Sequence, residues 1–151
     1  MNPLSPKVVL APLDWSDPST DSLKAAAELA SLYGGKLLVT YVADPAPYSP
    51  DLVTPADGYE QSVRKRALKE LTHICQSLIN TEVPTSYRVC FGQAHTEIAE
   101  LAEAEQVDLI VMATHGHSGI RHWLMGSTTE RVVRTANCPV LTMKFDQSVL
   151  H

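Results

Sequence analysis

Two apolar patterns take turns along the chain. KVVLAPL at 7–13, KLLVTYVA at 36–43 and DLIVMA at 108–113 are short, nearly continuous apolar runs rich in β-branched residues. That is the pattern of strands buried on both faces. After the first, SLKAAAELASLY sets Leu23, Ala26, Ala27 and Ala30 at helical spacing, and YEQSVRKRALKELTHICQSLI at 59–79 repeats the stripe through Val63, Ala67, Leu71, Ile74 and Leu78. Apolar residues three and four apart make one face of a helix that packs on a core. TSYRVCFG at 85–92 alternates as a strand, and HTEIAELAEAEQ reads as a helix with His95 or Thr96 near its start. STTERVVRTA at 127–136 reads as a helix and CPVLTMKF at 138–145 as a last, long apolar strand.

The punctuation fits this order. SDPSTDS offers several N-cap candidates, Gly34-Gly35 stops the helix that follows, and the proline-dense segment 43–58 can continue neither helix nor sheet. Strand and helix therefore alternate from end to end, which predicts one α/β domain over 1–151. Its core is a doubly wound, five-stranded parallel sheet with right-handed crossovers and helices on both faces. In such sheets ligands sit outside the carboxyl ends of the strands, where the strand order reverses. Three segments reach that edge: the turn at Asp14, the chain from Val42 onward, and the loop after DLIVMA.

Composition changes this picture only by exclusion. Hydrophobic residues make up 44% of the 151, charged residues 19%, and the formal net charge is −5. These are ordinary globular values, and an acidic balance argues against a nucleic-acid partner or an anionic membrane surface. No apolar run approaches the length of a membrane helix, and the first residues lack the pattern of a signal peptide. Three cysteines, Cys75, Cys90 and Cys138, form no C-x-x-C pair. An odd, scattered set suits a reducing compartment, so a cytoplasmic location is expected.

The candidate chemistry lies in MATHGHSGIRHWLMGSTTER, residues 112–131, with three glycines, three histidines and paired hydroxyl residues. Gly116 and Gly119 let backbone N–H groups approach a ligand closely, and Gly126-Ser127-Thr128-Thr129 opens a helix whose first N–H groups are free. Such an end is a phosphate cradle. The plain alternative is that the glycines turn the chain and Ser127 caps the helix; on residue types alone the two readings weigh about equally. Neither G-x4-G-K-[ST] nor G-x-G-x-x-G occurs, and Ser127 lacks the G-x-S-x-G setting of a hydrolase nucleophile. His115, His117 and His122 have no acidic or cysteine neighbour at ligand spacing, so no metal site and no catalytic residue is assigned. Cys75 and Cys138 read as packed core residues.

Ala113-x2-Gly116-x9-Gly126-Ser127 resembles the G-x2-G-x9-G-[ST] loop of the universal stress protein family, in its nucleotide-binding form. ERVVRTANCPVLTMK is similar to the family's closing segment, and KVVLAPLDWSDPS to its opening strand and Asp-x-Ser turn. The resemblance spans nearly the whole chain. It implies an adenine nucleotide alpha hydrolase-like fold holding ATP, AMP or another adenine nucleotide. Carried across position by position, it puts Asp14 at the adenine with Pro12 and Leu13 beside it. Val42 lines the base pocket, and Met112 and Ala113 lie beneath the ribose. Gly116, Gly126, Ser127 and Thr128 surround the phosphates, and His117 approaches them. Mg²⁺ or Mn²⁺ would accompany those phosphates. The resemblance also implies a homodimer paired through the last strand at Val140, Leu141 and Met143.

The chain departs from the family pattern twice. Ala113 replaces the first motif glycine, where its methyl narrows backbone approach. Trp15 stands where small residues are usual, and its ring would stack on a base, cover the pocket or block it. The expectation is a cytoplasmic stress-response protein that binds nucleotide, with hydrolysis slow at most. The competing expectations are a nucleotide-free homodimeric interaction module and a slow ATPase.

Overall fold

A computed structural model describes residues 5–45, 56–79, 82–115 and 125–144. Gly116 and His117 lie outside the described residues. Five strands and four helices alternate: β1 (Val8–Pro12), α1 (Asp17–Leu32), β2 (Lys36–Ala43), α2 (Ala56–Leu78), β3 (Thr85–Phe91), α3 (Ala94–Ala104), β4 (Leu109–Ala113), α4 (Ser127–Thr135) and β5 (Val140–Met143). The strands form one sheet in the order β3-β2-β1-β4-β5, and every neighbouring pair is parallel. Order therefore reverses between β1 and β4. Among the described residues no helix is long and apolar enough to cross a membrane.

Alternate residues of each strand supply two cores. On one face Val9, Ala11, Leu37, Val39, Val89 and Val111 pack with Leu23 and Leu71 of α1 and α2. On the other, Leu10, Leu38, Ile110 and Met112 pack with Ile98 of α3 and Val132 of α4. Burial on both faces explains why β1 and β4 read as unbroken apolar runs.

The end of the sheet opposite the strands' carboxyl ends is tied by specific polar contacts. The Asp108 carboxylate accepts from the N–H groups of Lys7 at 2.9 Å and Val8 at 3.0 Å, and its own N–H donates to Val8 O at 2.9 Å. After α1, Gly34 takes φ 57° and Gly35 N donates to Ala30 O at 2.8 Å. A Cβ on Gly35 would lie 2.7 Å from Lys7 O, so only glycine lets β2 enter beside β1 here.

Three element ends differ from the sequence pattern. The last strand is four residues long, because pairing with β4 begins only at Val140, beyond Cys138-Pro139. The expected long final strand is thus shortened, although it does lie at a sheet edge. Helix α3 starts at Ala94 with Gln93 as N-cap, ahead of His95 and Thr96, because Gly92 at φ 148° turns the chain early. Helix α2 starts at Ala56, inside the proline-dense segment.

Candidate functional site

A cleft of about 360 Å³ opens at the carboxyl ends of the strands, on the α3/α4 face. This volume is within the usual range for small-molecule sites. Pro12, Thr40, Val42 and Met112, from three adjacent strands, form its floor. Asp14 contributes from the β1–α1 turn, Ser19 from the first turn of α1 and Ala94 and Ile98 from α3, while Ala113 and His115 with Gly126 to Thr129 close the far side. Of the residues expected from sequence, Pro12, Leu13, Asp14, Val42, Met112, Ala113, Gly126, Ser127 and Thr128 all line this one cleft. Thr129, expected with the helix start, and His115, from the histidine-rich loop, line it too, while Ser19, Thr40, Ala94 and Ile98 join them without having been expected.

The β1–α1 side is internally satisfied. Leu13 N donates to Thr40 O at 2.8 Å, which holds the end of β1 against β2. Asp14 Oδ1 accepts from both the N–H and the hydroxyl of Ser16, closing a tight turn. Ser16 caps α1: its Oγ accepts from Ser19 N at 3.3 Å, and its carbonyl accepts from Thr20 N at 3.0 Å. The strand-end role of Asp14 and a place in the cleft therefore coexist.

The β4–α4 side is built differently. Gly126, not Ser127, is the N-cap of α4, and no side chain caps the helix. The sequence alternative in which Ser127 serves as the cap is corrected by this geometry; Ser127 is the first helical residue. Gly126 N donates to Thr114 O at 2.7 Å, and a Cβ there would approach the same oxygen to 3.1 Å, so glycine keeps the junction close. Thr129 Oγ1 donates to Ala113 O at 2.9 Å, pinning the helix to the strand. The first N–H groups of a helix have no partner within it. Those of Ser127, Thr128 and Thr129 therefore stand at the positive end of α4, beside the hydroxyls of Ser127 and Thr128. Glu130, in the same turn, pairs with Arg134 at 2.8 Å.

His115 adds a third polar feature. Its Nδ1 lies 3.1 Å from Thr114 Oγ1, while its Nε2 is buried and has no hydrogen-bond partner among the described residues. A buried polar atom left unpaired costs roughly 1–3 kcal/mol.

Trp15 neither lines nor blocks the cleft. It takes φ 66° and packs on Tyr41 with ring centroids 4.9 Å apart, against the α1/α2 core on the opposite face of the sheet. A left-handed conformation costs an L-residue roughly 1–2 kcal/mol, which the ring packing offsets. Ala113 does line the cleft and is nearly buried.

The thiols are unsuited to nucleophilic chemistry. Burial pushes Cys75 up to about 11, with its neighbour Tyr87 raised to about 12 for the same reason. Burial also raises Cys90, and raises Cys138 with help from the nearby Asp108 charge. All three are protonated near neutral pH. Among the described residues no three His, Cys, Asp or Glu side chains group as a metal site.

Comparison with known proteins agrees with this architecture. The family model described as "Universal stress protein family" matches residues 6–144. Universal stress protein A homolog 1 of Coxiella burnetii is 33% identical over 141 residues, covering 91% of this chain and 95% of the relative. Universal stress protein MJ0531 of Methanocaldococcus jannaschii is 31% identical over 142 residues, covering 91% and 82%. Among solved structures, the protein MJ0577 superposes with a TM-score of 0.77 at 26% identity, over 94% of this chain and 98% of its own. A universal stress protein in complex with cAMP superposes at 0.65 and 24% identity, covering 92% and 97%. One from Archaeoglobus fulgidus in complex with dAMP does so at 0.62 and 21%, covering 89% and 94%. With a family match over most of its length and relatives above 30% identity, the chain belongs to the universal stress protein family.

Proposed function

We propose that the cleft binds an adenine nucleotide, ATP or a related one, with the phosphates at the start of α4 and the base at Asp14. One observation carries this reading. An uncapped helix N-terminus and the Asp14 turn face a single cleft whose floor is apolar. Backbone N–H groups at a helix's positive end suit phosphate. The Asp14 carboxylate suits an amino or hydroxyl donor. Val42 and Pro12 offer apolar contact for a ring, and Met112 and Ala113 lie between base and phosphate ends. Gly126 keeps its place by size, since its own N–H already bonds Thr114 O. The direct donors are therefore Ser127, Thr128 and Thr129; Gly116 and His117, outside the described residues, are added only by the family pattern. The cAMP and dAMP complexes of proteins with this fold are consistent with the reading.

A divalent cation fits the hydroxyls of Ser127 and Thr128 because Mg²⁺ is commonly held through phosphate oxygens and water rather than by a protein cage. When bound it would neutralise phosphate charge. The proposed role is binding rather than turnover, in a cytoplasmic regulatory protein. Leu141 on edge strand β5 and Val133 on α4 are both substantially exposed, at 41% and 45%. They favour pairing of two copies through Val140, Leu141 and Met143, with or without nucleotide.

Calorimetric titration of ATP with Mg²⁺ into the wild type tests the central claim. Saturable uptake is expected; its absence for ATP, AMP and cyclic AMP alike would leave the dimer edge as the functional surface. Sedimentation of Leu141→Glu tests that edge independently: a monomer is expected if β5 pairs two copies.

A further inference from the structure

We infer that Trp15 and Tyr41 form a clamp behind the cleft that positions Asp14, and so sets selectivity for the base. The inference rests on the nucleotide reading above. Trp15 directly follows Asp14 and takes a left-handed φ of 66°, a conformation that bulky L-residues avoid. That conformation directs the ring to the opposite side of the sheet from the cleft, where it packs 4.9 Å from Tyr41. Tyr41 lies between Thr40 and Val42, both on the cleft floor, because neighbouring strand residues face opposite ways. The ring pair thus ties the Asp14 turn to the strand segment that forms the base end. Two hydrogen bonds complete the clamp: Leu13 N donates to Thr40 O at 2.8 Å, and Ser16 N donates to the Asp14 carboxylate at 3.1 Å.

Trp15 and Tyr41 are positioning residues, since neither lines the cleft. Their effect is transmitted through the angle and rigidity of the Asp14 carboxylate. Adenine offers an amino donor at its 6-position, where guanine has a carbonyl acceptor; guanine's own donors, N1–H and the 2-amino group, lie further along the same edge. A carboxylate fixed opposite the 6-position therefore favours adenine, whereas a loosened one also swings to guanine's donors and discriminates less. The phosphate donors at α4 lie on a different element from the clamp.

The test uses the full chain with three substitutions and two readouts. Trp15→Gly accepts the same φ without a ring, Tyr41→Leu removes the opposing ring, and Trp15→Phe keeps an aromatic anchor. Amide hydrogen exchange without ligand measures the turn at Ser16 and Leu13, with Ile110 in β4 as an internal reference. Calorimetry with ATP, GTP and inorganic tripolyphosphate measures selectivity. The first two variants are expected to speed exchange at Ser16 and Leu13 about tenfold relative to Ile110. They should also cut the ATP-over-GTP preference about tenfold, with tripolyphosphate affinity changed by less than about threefold. Trp15→Phe should remain within about threefold of wild type on both readouts. Unchanged exchange and selectivity in Trp15→Gly and Tyr41→Leu would overturn the inference. So would an equal fall for ATP, GTP and tripolyphosphate, which signals general loosening. If the wild type takes up no nucleotide although exchange at Ser16 still depends on Trp15, the nucleotide reading has failed. The clamp is then a structural support, and its selectivity role is refuted.

Discussion

Helices α1 and α4 both begin at the carboxyl edge of the sheet and both border the same cleft, yet their first turns are finished in opposite ways. At α1 the chain supplies its own anionic and hydroxyl partners: Ser16 caps the helix and Asp14 closes the turn onto Ser16. At α4 the N-cap is Gly126, which has no side chain to offer. The dipole and the free N–H groups are common to both helices; only the local residue types differ. An internally satisfied end gives a rigid wall, and an unsatisfied one leaves room for an anion from outside. The cleft has one of each, which gives it a direction, the one along which the proposed nucleotide would run from base to phosphate.

Converting the open end into a closed one should have the largest effect. Gly126→Asp puts a carboxylate where aspartate is a favoured N-cap, and that carboxylate competes with phosphate for the same N–H groups. The fold should persist, since Gly126 sits at φ −58° and Thr114 O, 3.1 Å from the added Cβ, need give by only a few tenths of an ångström; circular dichroism of the variant checks this. ATP affinity measured by calorimetry should fall about 100-fold, or ~2.8 kcal/mol. Wild-type affinity in this variant would remove α4 from the site. Next in size, Thr129→Val breaks the bond to Ala113 O and leaves a buried carbonyl unpaired. Chemical denaturation should show a loss of about 2 kcal/mol. A loss below half of that would mean the strand–helix junction is held by packing alone.

The reverse experiment opens the closed end. Ser16→Ala removes the α1 cap and should cost about 1 kcal/mol of stability. That corresponds to a melting temperature lower by roughly 2–4 °C, while tripolyphosphate affinity should not move. A matching loss of phosphate affinity would show that the two ends are not independent. The smallest effect is expected from Ala113→Gly. Restoring the motif glycine should raise ATP affinity by less than about threefold and cost about 0.5–1 kcal/mol of stability, because glycine weakens a strand. A tenfold gain would identify the methyl of Ala113 as a real obstruction.

The element order was legible because each strand is buried on both faces and each helix shows its stripe, so residues such as Leu10 and Leu23 declare their environment. The cleft was legible in part. Asp14, Val42 and Gly126 stand out by motif, whereas Thr40 lies inside an apolar run and reads as core. Its place two residues before Val42, on the same face, is the signal that alternation offered. Ala94 and Ile98 were obscured because α3 starts under the control of Gly92 and Gln93, and Gln93 makes no side-chain cap for a sequence to advertise. The left-handed Trp15 was not legible at all. Bulky residues avoid that conformation, and what compensates for it is a ring on a different strand. Likewise β5 reads as longer than it is, because apolar character continues past the residues that β4 can pair.

Thr114 spends both of its backbone groups on different elements: its N–H goes to Met143 O in β5 and its carbonyl to Gly126 N at the start of α4. The sheet edge and the α4 end of the cleft therefore share one residue as a common anchor. Displacing β5 removes one of the two bonds that hold Thr114 in place beneath Gly126. If a grip on β5 from outside stiffens the cleft through Thr114, then by thermodynamic reciprocity an occupied cleft must strengthen that grip by the same free energy.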